Sequence, residues 1–198
     1  MANSNIVRHL TEDMLIKANG GWRSKVQAQM LRDDLILRGY GFYTYYERPV
    51  VAPAGKLYAE FTTPADKWVE LTYREVTTDQ ERFFYRVYTG YGAVTLGADV
   101  RIGNLKAGSD ASGSTLKLVT NAPSLVGATA VTILPVFGAA TVGGRASGGL
   151  TTNAIARVIP LNTKFLIEFD NQSAAACYAL LELNWVELPE SAVDSGGI

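Results

Sequence analysis

The feature that most constrains this chain is an alternating pattern over residues 163–187. Two rows of apolar residues, each recurring at every second position, lie on either side of a polar segment at residues 170–173. A period of two places one set of side chains on each face of a β-strand. We therefore predict two strands joined as an antiparallel hairpin with at least one buried face. The predicted core residues are Phe165, Ile167, Phe169, Leu181, Leu183 and Trp185.

The same alternation recurs upstream and predicts an all-β protein. Predicted strands cover residues 57–61, 68–76, 82–88, 94–105, 116–119, 131–137 and 155–159. In the second of these, we expect Val69, Leu71 and Tyr73 on one face, opposite Glu70, Thr72 and Arg74. Turn signals about ten residues apart are typical of a sandwich or a barrel. We predict an antiparallel β-sandwich over residues 51–188.

Residues 1–50 are predicted to form an N-terminal arm with one or two short helices. Thr11 is placed to cap a helix over residues 12–18, and a second helix over residues 24–38 would end at Gly39. Residues 26–30 also alternate, so an extended arm stays open as an alternative. We also predict that residues 189–198 form a polar, extended tail. The Gly/Ala-rich residues 138–149 are either a flexible tip or a segment that packs against another subunit.

Aromatic residues crowd the end of the arm, and they are the candidate interface. Tyrosine offers a large contact area at a low entropy cost and is enriched at protein interfaces. The alternative is a strand with aromatic side chains on both faces. The candidate interface residues are Tyr40, Phe42, Tyr43, Tyr45, Tyr46 and Arg48.

Charge and hydropathy argue against two classes of partner. The formal net charge of −1 provides no long-range attraction to nucleic acid or to an anionic membrane. No apolar stretch approaches the length needed to cross a bilayer. The first ten residues lack the apolar region of an export signal, so we expect synthesis and assembly in a cytoplasm.

The residue types that usually carry catalysis are scarce, and we predict no enzymatic activity and no cofactor. His9 is the single histidine and lies on the predicted arm, whereas a catalytic base needs a rigid scaffold. Cys177 is the single cysteine and falls on a core row, where cysteine usually acts as a small apolar residue. One of each cannot complete a zinc site. The glycine-rich segments lack the motifs that bind phosphates or dinucleotides.

Carboxylates are the remaining chemical candidates. A glycosidase-like pair could be drawn from Asp33, Asp34, Glu70, Glu75, Glu168 and Glu182. On the predicted strands most of them fall opposite the apolar row, which is the ordinary solvated position. Asp99, Asp110 and Asp170 could line a calcium site, although no loop carries the usual calcium-binding spacing. We therefore predict no metal site.

Several segments together resemble small tailed-bacteriophage virion proteins with a jelly-roll fold. The resemblance covers about residues 55–188 and is carried by residues 84–90, Asn104 with Leu105, residues 159–171 and residues 181–187. A proline, a small polar residue, a long apolar strand, an Asx-Asn pair and a strand ending in tryptophan are common at the end of such proteins. These motifs are structural and include no catalytic residue.

The resemblance implies a non-enzymatic structural protein of the virion, assembled in the host cytoplasm. Such proteins are typically capsid decoration or cement proteins, or parts of the tail and its fibres. The implied partners are the major capsid protein or other virion proteins, and a homo-oligomer, for which a trimer is one candidate. The alternative is a receptor- or glycan-binding module of the tail, with Trp68 or Tyr91 stacking on a sugar.

Overall fold

The computed structural model describes residues 15–18, 21–24, 33–79, 82–136 and 157–189. The described residues are mostly strand, in antiparallel sheets and with almost no helix, which confirms the all-β prediction. The strands are β1 Leu15–Ala18, β2 Gly21–Ser24, β3 Gly41–Val51, β4 Lys56–Thr62, β5 Lys67–Thr78, β6 Phe83–Thr89, β7 Leu96–Asp99, β8 Ile102–Asn104, β9 Thr115–Val119, β10 Thr129–Val136, β11 Arg157–Ile159, β12 Lys164–Asn171 and β13 Cys177–Pro189.

Eleven of these strands form two large sheets. A six-stranded sheet has the order β10-β6-β12-β4-β9-β7, and a five-stranded sheet has the order β11-β5-β13-β3-β8. Strands β1 and β2 form a separate two-stranded sheet. The described strand pairs in all three sheets are antiparallel.

The inner faces of the two large sheets pack against each other around a core of aromatic residues. The ring of Trp185 on β13 lies 5.4 Å from the ring of Phe61 on β4, and Tyr46 on β3 lies 5.8 Å from Phe169 on β12. Edge-on contacts of this kind add to the free energy gained by burying apolar area. Among the six predicted core residues, Phe165 is partly buried against this cluster and the other five are buried in it.

The predicted hairpin of the last two strands is wrong. Strand β12 pairs with β4 and β6, whereas β13 pairs with β3 and β5 in the opposite sheet. The connection therefore crosses from one sheet to the other. Alternation reports which side chains face the core, and two strands that face each other across the core alternate in the same way as two neighbours in one sheet.

Asn171 holds this crossing in place. Its side-chain amide nitrogen lies 3.0 Å from the carbonyl oxygens of Val51 and Ala52 and 2.8 Å from that of Ala175. Its side-chain oxygen accepts hydrogen bonds from the backbone and hydroxyl groups of Ser173. The fully buried Asn171 thus ties the end of β12 to the end of β3 and to the connection that leads into β13.

The predicted boundary between arm and sandwich, at residue 50, is also wrong. Strand β3 begins at Gly41 and pairs with β13 along most of its length. Residues 41–50 therefore belong to the five-stranded sheet, because their backbone groups are paired inside it. Pro189, the first residue of the predicted tail, is still part of β13. Residues 138–149 and 190–198 lie outside the described residues.

Strand β1 replaces the end of the helix predicted over residues 12–18. Strand β1 pairs with β2 so that Ala18 lies opposite Gly21, which leaves two residues, Asn19 and Gly20, between the strands. An Asn-Gly pair is the commonest sequence for a two-residue hairpin connection. The Asn-Gly sequence therefore favours a hairpin over the predicted helix.

A helical segment at residues 33–37 covers one end of the outer face of the five-stranded sheet. Leu35 is buried against Val186 and Leu188, with Ile36, Tyr40 and Trp68 packed around them. The segment ends at Gly39, whose φ of +91° is favourable only for glycine. Gly39 thus has the predicted stop role, while Ser24 lies in β2 and residues 25–32 lie outside the described residues.

A β-bulge in β5 reverses the predicted faces of its second half. Trp185 pairs with Leu71 but Asn184 pairs with Tyr73, so Thr72 is the extra residue. An extra residue shifts the alternation by one position. Tyr73 therefore points outward and Arg74 inward, the reverse of the prediction for both residues.

Candidate functional site

The predicted interface residues on β3 alternate between the core and the surface. Phe42 and Tyr46 are buried in the core, which matches the alternative of a strand with aromatics on both faces. Tyr43 and Tyr45 are 36% and 55% exposed on the outer face of the five-stranded sheet. Tyr40 packs beside the helical segment. Nothing is described of the Arg48 side chain.

The exposed tyrosines belong to a larger surface, which we call the tyrosine face. It consists of three rows that run across β3, β13 and β5, namely Tyr43–Asn184–Tyr73, Tyr45–Glu182–Glu75 and Glu47–Leu180–Thr77. These nine positions carry three carboxylates and no lysine or arginine. Strand pairing and the Thr72 bulge bring Tyr73, Glu75 and Glu182 to the tyrosines of β3. Neither the pairing nor the bulge could be read from local sequence.

Two carboxylates lie side by side in the middle row of the tyrosine face. Glu182 and Glu75 are directly opposite each other on neighbouring strands, an arrangement that destabilises a sheet by like-charge repulsion. A hydrogen bond to Glu182 raises the pKa of Tyr45. The hydroxyl of Tyr73 donates a hydrogen bond to Glu75, and this bond raises the pKa of Tyr73 to about 12. The two phenols therefore offset part of the repulsion.

The ring of Tyr43 covers a glycine at the edge of the face. A Cβ atom built on Gly103 of β8 would lie 2.5 Å from the ring of Tyr43, so no larger residue fits under the ring in this position. An aromatic ring that covers a strand glycine protects the backbone beneath it. Tyr43 and Tyr45 also meet edge to face, with 6.4 Å between their centroids. The face thus presents ordered aromatic surface.

A groove of about 470 Å³ with a mixed polar and apolar lining lies beside the other sheet. Its walls come from β4, β7, β12 and the β6–β7 connection, and its lining includes Glu60, Tyr91, Leu96 and Lys164. The Tyr91 hydroxyl donates a 2.7 Å hydrogen bond to Glu60, which is only 4% exposed, and Nζ of Lys164 lies 3.7 Å from the same carboxylate. Sequence reasoning named Tyr91 and missed Glu60 and Lys164, which strand pairing brings to it.

The β6–β7 connection that carries Tyr91 is fixed to the loop after β9. The backbone nitrogen of Gly92 donates to the carbonyl of Ser124 at 2.8 Å, and the nitrogen of Thr95 donates to the side chain of Asn121 at 2.7 Å. A Cβ on Gly92 would lie 3.0 Å from that of Ser124, so glycine permits this close approach. Hydrogen bonds therefore hold in place the wall of the groove that contains Tyr91.

Glu168 is fully buried although it lies on the outer face of β12, which corrects the expectation of a solvated position. Arg86 covers it from β6, with Nη1 2.6 Å from Glu168 and 2.6 Å from Asp170, and Nζ of Lys56 lies 3.1 Å from Glu168. Burial, followed by the charge of Glu168, raises the pKa of Tyr58 well above its ordinary value of 10.0. Long neighbouring side chains thus enclose this carboxylate in an ion-pair network.

Glu187 is a second buried carboxylate, and it anchors the serine-rich loop. It accepts hydrogen bonds from the hydroxyl of Ser112 at 2.5 Å, from the backbone nitrogens of Gly113 and Ser114, and from the hydroxyl of Ser114 at 2.8 Å. Nζ of Lys67 lies 3.5 Å away. Burial alone would raise the pKa of Glu187, but these hydrogen bonds outweigh it and the pKa is lowered. Its partners are those of a structural anchor.

The other sugar-binding candidate, Trp68, packs against the apolar cluster beneath the helical segment. The inward-facing Arg74 lines a cavity of about 60 Å³ between the sheets, where its guanidinium lies 5.4 Å from the centre of the Tyr85 ring. Such a volume suits a few water molecules at most. Neither residue offers an open platform for a ligand.

The remaining candidates are dispersed. Cys177 is buried in the core, and burial raises its pKa to about 11. Asp170 is held by Arg86, and Asp99 by Lys117 at 3.2 Å. Within the described ranges, no group of three or more His, Cys, Asp or Glu is placed to hold a metal ion. His9 lies outside those ranges. None of the helices described has the length and hydropathy of a membrane span.

The chain was compared with protein families, with curated proteins and with solved structures. None of the three comparisons finds a match.

Proposed function

We propose that the protein is a non-enzymatic structural component of a tailed-phage virion, and that it binds other virion proteins through the tyrosine face. A capsid decoration or cement protein, bound between shell subunits and stabilising them, is the simplest form of this role. The observation that carries the proposal is the ordered, exposed tyrosine pair on the outer face of a two-sheet body.

We also propose that the two-sheet body is a jelly roll, and the strand order supports this. Strands β7 to β9 are an insertion that extends the sheet edges next to β3 and β4. The other eight strands of the two large sheets can be renumbered 1 to 8 in chain order, from β3 as 1 to β13 as 8. Their order is then 1-8-3-6 in the five-stranded sheet and 2-7-4-5 in the six-stranded sheet. This order matches the pattern of a jelly roll, an architecture used by viral capsid and lectin domains.

The hydrogen bonds and ion pairs of the buried carboxylates support a structural role over catalysis. Glu168, Asp170 and Glu187 are each held by several hydrogen bonds or ion pairs from within the chain. Glu75 and Glu182 lie on a sheet face and not in a cleft. A carboxylate pair that acts on a glycoside needs a substrate between its two members.

The test is incorporation into particles. Replacing Tyr43 and Tyr45 together by serine is expected to lower the number of copies per purified particle by about tenfold or more, since aromatic anchors dominate interface energies. Particles are quantified by mass spectrometry and then heated to compare their stability. Ile133→Ser, at an exposed position on the six-stranded sheet, is the matched control. Normal incorporation and normal heat resistance of the tyrosine variant would contradict the proposal.

The groove favours carbohydrate binding as a second candidate function. Lys164 offers donors, Glu60 and the Tyr91 hydroxyl oxygen offer acceptors, and Leu96 offers apolar surface, while one acid and one base leave the groove close to neutral. This chemistry suits an uncharged ligand with neighbouring hydroxyl groups. Saturation-transfer NMR with methyl glycosides tests it, and signals that persist in Glu60→Gln with Tyr91→Phe would argue against the groove.

A further inference from the structure

We propose that the tyrosine face binds the basic N-terminal segment, residues 1–32, of a second copy of this chain. The inference rests on the proposed function, because it names one partner of the surface that was assigned to docking. Two observations carry the inference together. The tyrosine face on the body is acidic and aromatic, and the segment that precedes the body has an excess of positive charge.

The charges of the two parts are opposite. Residues 1–32 contain five Lys or Arg and two Asp or Glu, a formal net charge of +3. The rest of the chain has 13 Lys or Arg and 17 Asp or Glu, a net charge of −4. The three carboxylates of the tyrosine face lie within an area spanned by three adjacent strands. Lysine and arginine bind both carboxylates and the faces of tyrosine rings.

The face has a specific reason to attract a cation. Glu75 and Glu182 are cross-strand neighbours, and the nine positions of the face hold no basic residue. A lysine or arginine placed between them would turn a repulsive pair into an attractive group of three charges. Tyr43 and Tyr45 beside them stay partly exposed in the single chain, so the face is open to a partner.

The N-terminal segment has a reason to bind elsewhere. Strands β1 and β2 pair with each other and with no other strand of the described residues. A two-stranded hairpin alone is marginally stable in water and gains stability by packing on another surface. The hairpin register places Lys17 opposite Trp22 and Ile16 opposite Arg23, so basic, aromatic and apolar residues are adjacent.

A second copy is the occupant to which we commit, and folding back onto the same copy is the competing outcome. Eight residues separate Ser24 from Asp33, and an extended chain of that length spans about 27 Å. The helical segment at residues 33–37 packs at one end of the same sheet face. Both routes are within reach of the chain, and the proposed role, in which many copies lie close together on one particle, favours the second copy.

Charge reversal in the full-length chain tests the inference. Wild-type protein is expected to self-associate, with weaker association at high salt because charges are screened. E75K with E182K on the face, or K17E with R23E on the segment, is expected to weaken association by about tenfold or more. K106E, a reversal at an exposed loop position, is the matched control and is expected to leave association unchanged.

Mixing separates the two occupants. Equal amounts of the face-reversed and segment-reversed proteins are expected to associate with each other to within about threefold of wild type, because opposite charges again meet between copies. If only the chain that carries both reversals is restored, the segment folds back on its own copy and the proposal is overturned. Circular dichroism melting checks the fold, and E75Q with E182Q repeats the weakening without introducing lysines.

The outcomes also distinguish this inference from the proposed function. Wild-type protein that stays monomeric, or association indifferent to both reversals and to salt, would overturn the inference. Particle incorporation is scored separately in the same variants. Normal incorporation of a protein that no longer self-associates would support the inference and assign virion docking to another surface.

Discussion

Arg86 and Glu168 face each other on adjacent strands, with Nη1 of Arg86 2.6 Å from Oε1 of a fully buried Glu168. The same Nη1 also lies 2.6 Å from Asp170, so one guanidinium serves two acids. Removing one partner of a buried ion pair leaves a charge that neither water nor protein compensates. The network therefore fixes the relation between β6 and β12 in the middle of the six-stranded sheet.

Arg86→Met is expected to lower the free energy of unfolding by about 3–5 kcal/mol, measured by urea denaturation. Adding Glu168→Gln to it is expected to recover part of the loss, because the second change removes one of the uncompensated charges. Lys106→Met, at an exposed loop position, serves as the control and should cost no more than about 0.5 kcal/mol. An Arg86→Met protein as stable as this control would show that the network contributes little.

Asn171→Asp is expected to be more destabilising than Asn171→Ala. The aspartate has nearly the shape of asparagine but directs an acceptor at the carbonyl oxygens of Val51, Ala52 and Ala175, while alanine only leaves them unpaired. We expect a loss of about 1–3 kcal/mol for the alanine and more for the aspartate. As the control, Ala174→Asp adds the same charge at an exposed position of the same connection. The reverse ranking in urea denaturation would refute a donor role for this amide.

Glu187→Gln is expected to make the free energy of unfolding depend less on pH in the acidic range. Because the folded pKa of Glu187 is lowered from 4.5, its stabilising effect is complete above pH 4.5 and is lost as the pH falls through the folded value. Near neutral pH we expect the variant to be less stable by about 1.5–3 kcal/mol. The difference should shrink below pH 4.5. A difference that stays constant in acid would rule out the depressed pKa, and Asp66→Asn at an exposed position is the control.

Glu75→Gln is expected to lower the pKa of Tyr73 from about 12 toward 10.0. The raised folded value means that the proton on Tyr73 contributes stability in full below pH 10.0 and that this contribution is lost as the pH rises toward 12. Ultraviolet absorbance of phenolate, measured as the difference between each protein and its Tyr73→Phe variant, gives the midpoint. Equal midpoints with and without the Glu75 carboxylate would exclude the hydrogen bond as the cause.

Local sequence was sufficient to locate most strands of the body. The predicted strands at 57–61, 68–76 and 116–119 fall within β4, β5 and β9, because alternation is a property of each segment by itself. Pairing is not a local property, and the predicted hairpin of β12 and β13 failed for that reason. The Thr72 bulge was equally invisible, since one inserted residue leaves composition unchanged while it exchanges Tyr73 and Arg74 between faces.

Only part of the candidate site could be predicted from the sequence. Tyr43 and Tyr45 could be named from the aromatic run, but Phe42 and Tyr46 in the same run belong to the core, and the odd or even register decides which is which. Glu182 and Glu75 come from strands far away in sequence. Glu168 was expected in solvent because it is charged and faces outward, and its burial depends on the lengths of Arg86 and Lys56 on neighbouring strands.

The crossing from β12 to β13 has a consequence for how the protein is made. Strand β12 separates β6 from β4, and β13 separates β5 from β3, so the latest strands of the body to leave the ribosome are the central ones of both sheets. The edges of β6, β4, β5 and β3 that will pair with β12 and β13 stay unpaired until residues 164–189 have been synthesised. Neither large sheet can therefore be completed before its last strand has been synthesised, and until then the unpaired strand edges are open to aggregation.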